Sequence, residues 1–398
     1  MNYRSVILKN VLIGLETLSG SGIITNTSER LGLLANPASV DRTFRHAKDL
    51  INNRFPGQLR ALFSPQHGFF AEKQDNMIES DHMTDPELNI PVFSLYHSDR
   101  KPTAEMMDTI DTLIVDIQDV GTRVYTFIYT LSYCMEAAAE SGKRIIILDR
   151  PNPVGGRIVE GNILRHEFSS FVGRYPIPMR HGLTIGEIAL LFNDQFNIGC
   201  NLEVIQMKNW HRAMYFHDTG LPWVSPSPNL PTAESSYVYP GQVIFEGTNI
   251  SEARGTTKPF ELFGSPFADI KKIIDHINPE HLRGIHIRQT CFEPTSNKWQ
   301  GKPCNGFQIH ITNIDEYKPY ITSLAFLRAF IATGGKAFEW KQPPYEYEFE
   351  KLPIDLIIGD RSIRERIENL DPIKEIEKNW QEELKQYINI KQKFHLYT

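Results

Sequence analysis

Residues 247–261, GTNISEARGTTKPFE, gather Asn249, Ser251, Glu252, Arg254, Thr256 and Lys258 into one short stretch bounded by Gly247 and Pro259. The stretch has neither the period of two of a half-buried strand nor the 3.6-residue period of a core-facing helix. Turns favour such residues, so a capped surface turn is one explanation. A loop that reads a polyhydroxylated, charged small molecule is the other. The same kinds of groups recur along the chain. Asp116, Asp119 and Glu252 are candidate acids, and Arg123, Arg180 and Arg254 are candidate anion clamps. Asn36, Asn152, Asn229 and Asn249 suit hydroxyl or acetamido groups, and Tyr125, Trp223 and Phe260 could stack on a sugar face. Carboxylates with amides and aromatics point to glycoside chemistry. There one carboxylic acid protonates the leaving oxygen and a second group stabilises the oxocarbenium ion. Each residue also has a structural explanation: Asp119 as a helix cap before Val124, Glu252 as the partner of Arg254, Arg150 as a framework group.

Other chemistries find little support. There is no GxxxxGK[ST] and no GxGxxG at a strand-to-helix turn, and the Gly155-Gly156 pair follows a proline-locked turn. His67, His97 and His181 lack metal-ligand spacing, and no GxSxG elbow is present. The expectation is therefore an enzyme with no cofactor and no metal.

The elements that must position these groups are readable from apolar runs. Strands are expected at 31–36, 59–64, 91–96, 112–118 and 144–149, alternating with helices near 43–51, from 102, at 125–141 and at 182–193. Continuous Ile/Leu/Val runs alternating with helices predict a parallel sheet covered on both faces, whose ligands bind beyond the carboxyl ends of the strands. Those ends carry Asn36; Gln66 and His67; Asp116, Gln118 and Asp119; and Asp149, Arg150 and Asn152. The proline-rich strip at 221–232 reads as an extended hinge. Beyond it, a strand at 307–312 and helices at 320–333 and 362–387 read as a smaller α+β unit. The expected division is 1–238 and 239–398, with a cleft between, and Gln66, Asp116 and Arg254 are expected to face it together.

At 398 residues the chain can bury two cores. Its net charge of −6 argues against nucleic acid as a partner, and its apolar runs are too short to span a membrane. Lys9 and Asn10 split the N-terminal apolar runs at 6–8 and 11–15, and no small-residue cleavage site follows. Cys134, Cys200, Cys291 and Cys304 are scattered, with no CxxC. Both features are read as cytoplasmic for the chain as given, and as periplasmic or secreted if a signal has been removed.

The motifs SPQHG, DIQDVGTRVYT, LDRPNPVGG, FVGRYPIPMRHGLTIGE, SPSPNLPT, EGTNISEARGTTKPFE and FEPTSNKWQGKPCNG occur in this order from about residue 31 to beyond 312. The chain thereby resembles the NamZ-type exo-β-N-acetylmuramidases. The resemblance implies a Rossmann-like doubly wound N-terminal domain, a smaller α+β C-terminal domain and a cleft between them. It also implies release of N-acetylmuramic acid from the non-reducing end of peptidoglycan fragments such as MurNAc-GlcNAc. The lactyl carboxylate of that sugar suits an Arg fork, here Arg254 or Arg123. His67, His181 and Thr256 lie in the matching motifs and join the candidate site. One departure stands out. The family typically reads Glu-His-Gly-Phe-Arg-Gly after the second strand, its glutamate the proposed acid, whereas this chain reads Gln66-His67-Gly68-Phe69-Phe70-Ala71. Either the acid comes from elsewhere, with Glu72, Glu79 and Glu252 as substitutes, or a binding protein has kept the cleft and lost the acid.

Overall fold

The computed structural model describes residues 10–20, 22–74, 77–97 and 99–398. The apolar run at 6–8 lies outside the described residues. Among those described, seven strands form one sheet. They are β1 (Leu31–Ala35), β2 (Leu59–Ser64), β3 (Met83–Thr84), β4 (Pro91–Ser94), β5 (Thr112–Asp116), β6 (Arg144–Leu148) and β9 (Asn201–Ile205). Two further strands, β7 (Glu160–Ile163) and β8 (Pro178–Arg180), pair with each other outside it.

The sheet order is β3-β4-β2-β1-β5-β6-β9, parallel throughout except for the antiparallel edge strand β3. Without β3 this is the strand order of dinucleotide-binding sheets, so the Rossmann-like, doubly wound expectation is met. Side chains alternate between two cores because successive residues point to opposite faces. Leu34, Val115 and Ile147 join one apolar cluster, while Leu33, Ile114 and Ile146 join the other. Helices cover the sheet where cap residues allow: Thr103 accepts from Met106 N, Thr184 forms a capping box with Glu187, and Gly142, at φ 65°, ends the helix Phe127–Ser141.

The second, smaller domain holds the antiparallel sheet β10 (Leu262–Ser265), β11 (Ile285–Phe292) and β12 (Cys304–Ile311), ordered β10-β12-β11. The helix Pro319–Gly334 packs on it: the Phe326 ring centroid lies 4.8 Å from that of Phe263 and 5.2 Å from that of Phe307. The single helical stretch expected at 362–387 is three helices, Arg361–Glu368, Ile373–Lys378 and Gln381–Lys391. Pro372 lacks the N–H that a helix interior needs and disfavours helical backbone in the residue before it, which accounts for the first break. The chain end then returns to the first sheet. Lys391 Nζ donates to the carbonyls of Gly156 and Gly182, at 3.0 and 3.1 Å, and the Tyr397 hydroxyl donates to Asp149.

The division expected at 238/239 falls within the helix Ala233–Gln242, capped by Thr232 where the proline-rich strip ends. Gly241 lets this helix lie against the start of Pro319–Gly334, because a Cβ there would collide with the Pro319 carbonyl.

Candidate active site

The crevice between the carboxyl ends of β1 and β5, where such sheets bind nucleotides, is filled by the protein's own hydrogen bonds. Asn36 Nδ2 donates to the Gln118 carbonyl at 3.3 Å, the Ser39 hydroxyl to the Asp116 carbonyl, and Gln118 Nε2 to the Pro151 carbonyl at 2.9 Å. The Arg150 guanidinium forks onto both Asp116 oxygens, its Nη2 at 2.8 Å. Asn36 and Asp116 are fully buried by this network.

The open site lies to one side, at the ends of β2 and β5. It is a recess whose space, counted out to solvent, is about 470 Å³. Gln66 and His67 line one wall and residues 124–127 another. Ser227, Asn229 and Leu230 follow from the proline-rich strip, and Tyr239, Glu246, Arg254, Phe260, Tyr345 and Glu346 close it from the second half of the chain. An adjoining recess, about 600 Å³ counted the same way, shares Glu246, Arg254 and Tyr345 and adds Glu252, Lys298 and Lys341.

Several expected residues meet here. Gln66 and Arg254 face the same recess, with His67, Asn229, Tyr125 and Phe260. Arg254 is 9% exposed; its Nη2 donates to Glu246 at 2.6 Å and its Nε lies 3.3 Å from Glu252. Burial alone would raise the Glu246 carboxyl, but Arg254 outweighs it and holds the group below its ordinary range. Glu252 is also bridged by Lys298 Nζ at 2.7 Å, and burial pulls that ammonium below its usual range against the pull of Glu252.

Other expected residues do not reach the recess. Asp116 is spent on Arg150, so the expectation that Gln66, Asp116 and Arg254 share one cleft holds for two of the three. Arg123 is wholly buried, donating through Nη1 to the carbonyls of Asn162 and Ile177 and through Nη2 to those of Ile357 and Ile358. With both terminal nitrogens on carbonyls it has no free face for a carboxylate, which corrects that assignment. Asp119 does not cap the helix that follows: its Oδ2 accepts from Gly121 N at 2.7 Å and lies 3.4 Å from His181 Nε2. His181 is fully buried, its Nδ1 taking Leu183 N. Asn152 ties Val154 N to the Leu183 carbonyl. Asn249 clamps residues 337 and 339, and Thr256 closes a local turn onto Ala253 and Lys258. Trp223 donates to the carbonyl of Leu230 and does not itself line the recess. The exposed carboxylates Glu72 and Glu79 do not line it either. Glu72 accepts from Phe70 N and Glu79 lies 3.4 Å from His97 Nδ1.

One group was missed by sequence reasoning. Glu346 is 4% exposed at the recess wall. Gln66 Nε2 donates to its Oε1 at 3.2 Å and the Tyr96 hydroxyl to its Oε2 at 2.6 Å. Burial raises this carboxyl above its ordinary range, against those two hydrogen bonds. In the sequence it sits in PPYEYEFEK, where three glutamates among aromatics read as a solvated run. The signal that could have marked it is the Pro-Pro that precedes, a punctuator of turns.

Residues 31–234 match the family described as exo-β-N-acetylmuramidase NamZ, N-terminal, and residues 237–397 match its C-terminal counterpart. The chain belongs to the NamZ family. It is 42% identical over 387 residues to the peptidoglycan β-N-acetylmuramidase NamZ of Bacillus subtilis (strain 168), covering 97% of this chain and 91% of that protein. Two crystal structures of DUF1343 family proteins from Bacteroides fragilis NCTC 9343 share the fold. One superposes with a TM-score of 0.87 at 31% identity and the other with 0.75 at 29%, each over 98% of this chain and 99% of the other. The recess takes its lining from both NamZ segments, Gln66 to Leu230 from the first and Tyr239 to Glu346 from the second. Homology to NamZ supports a peptidoglycan glycosidase function for the chain. Among the described residues, no helix is long and apolar enough to cross a membrane.

Proposed function

We propose that this chain is an exo-acting glycoside hydrolase that releases N-acetylmuramic acid from the non-reducing end of peptidoglycan fragments, and that the recess between the two NamZ segments holds the terminal sugar. The observation that carries the reading is the composition of that recess. A carboxyl held above its ordinary range, an Arg, amide and hydroxyl groups and the rings of Tyr125 and Phe260 converge on one concavity. Such a set fits a saccharide, with aromatic faces for the ring and directional polar groups for its substituents. Arg254 is the candidate reader of the lactyl carboxylate, since a desolvated anion needs a charged partner.

The test is turnover of the MurNAc-GlcNAc disaccharide and of a chromogenic muramic acid glycoside, with product analysis on longer glycan strands. Exo action yields free N-acetylmuramic acid from the first time point; shortened internal fragments would refute it. A second reading rests on Gln66, which stands where the family typically carries glutamate: a muropeptide-binding protein that no longer cleaves. Saturable binding of the disaccharide with no turnover of either substrate would establish it in place of the first.

A further inference from the structure

We propose that Glu346 is the proton donor to the glycosidic oxygen and that Gln66 is a positioning residue that holds it. The inference deepens the glycosidase reading and rests on it.

A general acid must lie at the site and carry a proton at working pH. Asp116 is locked by Arg150, and Glu72 and Glu79 lie outside the recess. Glu246 is paired with Arg254, which holds its carboxyl below its ordinary range, and both Glu252 oxygens are taken up by ion pairs with Arg254 and Lys298. Glu346 is the lining carboxylate among the described residues whose hydrogen bonds come from neutral groups, the Gln66 amide and the Tyr96 phenol. Of the surrounding titratable groups, Arg100 favours its anion, Glu246 disfavours it, and Tyr239 and Tyr345 are kept neutral by burial.

The holding geometry is specific. The Thr126 hydroxyl donates to Gln66 Oε1 at 2.7 Å, which turns the amide so that Nε2 faces Glu346. Tyr96 takes Met77 N on its oxygen at 3.1 Å, which turns its own proton towards Glu346 Oε2. One lone pair on each carboxyl oxygen is occupied, leaving another to carry the acidic proton. The backbone supplies an independent observation. Glu346 and Tyr347 have φ of 46° and 66° between Tyr345 and Glu348, which exchange hydrogen bonds of 2.9 and 3.0 Å. Turns with two positive-φ residues are usually built from Asn, Asp and Gly. A Glu-Tyr pair there bears local strain, a feature that gathers at functional sites.

In the step, Glu346 gives its proton to the glycosidic oxygen as the C1–O bond breaks, its electron pair staying on that oxygen, and the leaving sugar departs as an alcohol. Water then adds through oxygen to C1, and its released proton restores Glu346. One water is consumed and nothing is oxidised or reduced.

The experiment compares wild type with Glu346→Gln on MurNAc-GlcNAc, whose leaving group needs protonation, and on an activated nitrophenyl glycoside, which needs little. Thermal melts verify that the variant is folded. Glu346→Gln is expected to lose about a hundred- to ten-thousand-fold in kcat on the disaccharide, about tenfold or less on the aryl glycoside, and the alkaline limb of its pH profile. Equal losses on both substrates, or a retained alkaline limb, would overturn the assignment. If the variant does not fold, Tyr96→Phe replaces it. Removing a hydrogen bond to the anion should move the alkaline limb to higher pH, and an unmoved limb refutes the proposal. A wild type that turns over neither substrate sinks the glycosidase reading itself, whereas an active wild type with an indifferent Glu346→Gln sinks only this inference.

Discussion

Restoring the family's glutamate, Gln66→Glu, would put two carboxyl groups where an amide now donates to Glu346 across 3.2 Å. With charge centres about 4 Å apart, two carboxylates repel by about 4 kcal/mol at an effective dielectric constant of about 20. That corresponds to about three pH units separating the first ionisation of the pair from the second. The two groups therefore share one proton through neutral pH, and the proton-bearing form of the site persists to higher pH than in the wild type. The assay is the pH dependence of kcat/KM on MurNAc-GlcNAc and on an activated aryl glycoside. The alkaline limb on the disaccharide should move up by at least about one unit, and turnover at alkaline pH should rise. The aryl glycoside should change less, since it depends less on protonation. An alkaline limb that stays in place, with lower activity on both substrates, would show that residues 66 and 346 do not share the acidic proton.

Arg254→Ala should weaken catalysis on muramic acid glycosides by about 2 kcal/mol or more in kcat/KM and leave the matched glucosamine glycosides nearly unchanged; equal losses would mean that Arg254 serves only to neutralise Glu246 and Glu252. Arg123→Met should cost about 3 kcal/mol or more in urea unfolding, because four carbonyl oxygens lose their donor. Its KM should hold, and a raised KM at unchanged stability would return Arg123 to the binding site. Burial pushes Glu160 up to about 7, with its Oε1 on Ile321 N. An unfolded carboxyl ionises near pH 4, so between about 4 and 7 the folded state binds the extra proton and loses stability as pH rises. Wild type should therefore lose Tm relative to Glu160→Gln from pH 5 to pH 8, and a constant difference would refute the burial argument.

The parallel strands were legible because burial on both faces demands continuous apolar runs, and the ends of the helices because the caps Thr103, Thr184 and Gly142 act within one turn of their own position. The 247–261 segment could be singled out because its polarity has no periodic explanation. Gln66 was legible as a polar strand end, and its departure from glutamate only against the family motif. What the chain's own order could not reveal is which polar groups at the strand ends satisfy one another and which remain to face a ligand. Asp116 and Asn36 looked like site residues until Arg150 and Gln118 closed around them. Arg123 looked like an anion clamp, but its acceptors include the carbonyls of Ile357 and Ile358, more than 230 residues away. Glu346 lies 280 residues from Gln66 and reads locally as one of several exposed glutamates. Residue types and turn signals are local properties of a sequence. Burial, and with it the protonation of a carboxyl, depends on what the fold brings to lie against it, which only the tertiary structure decides.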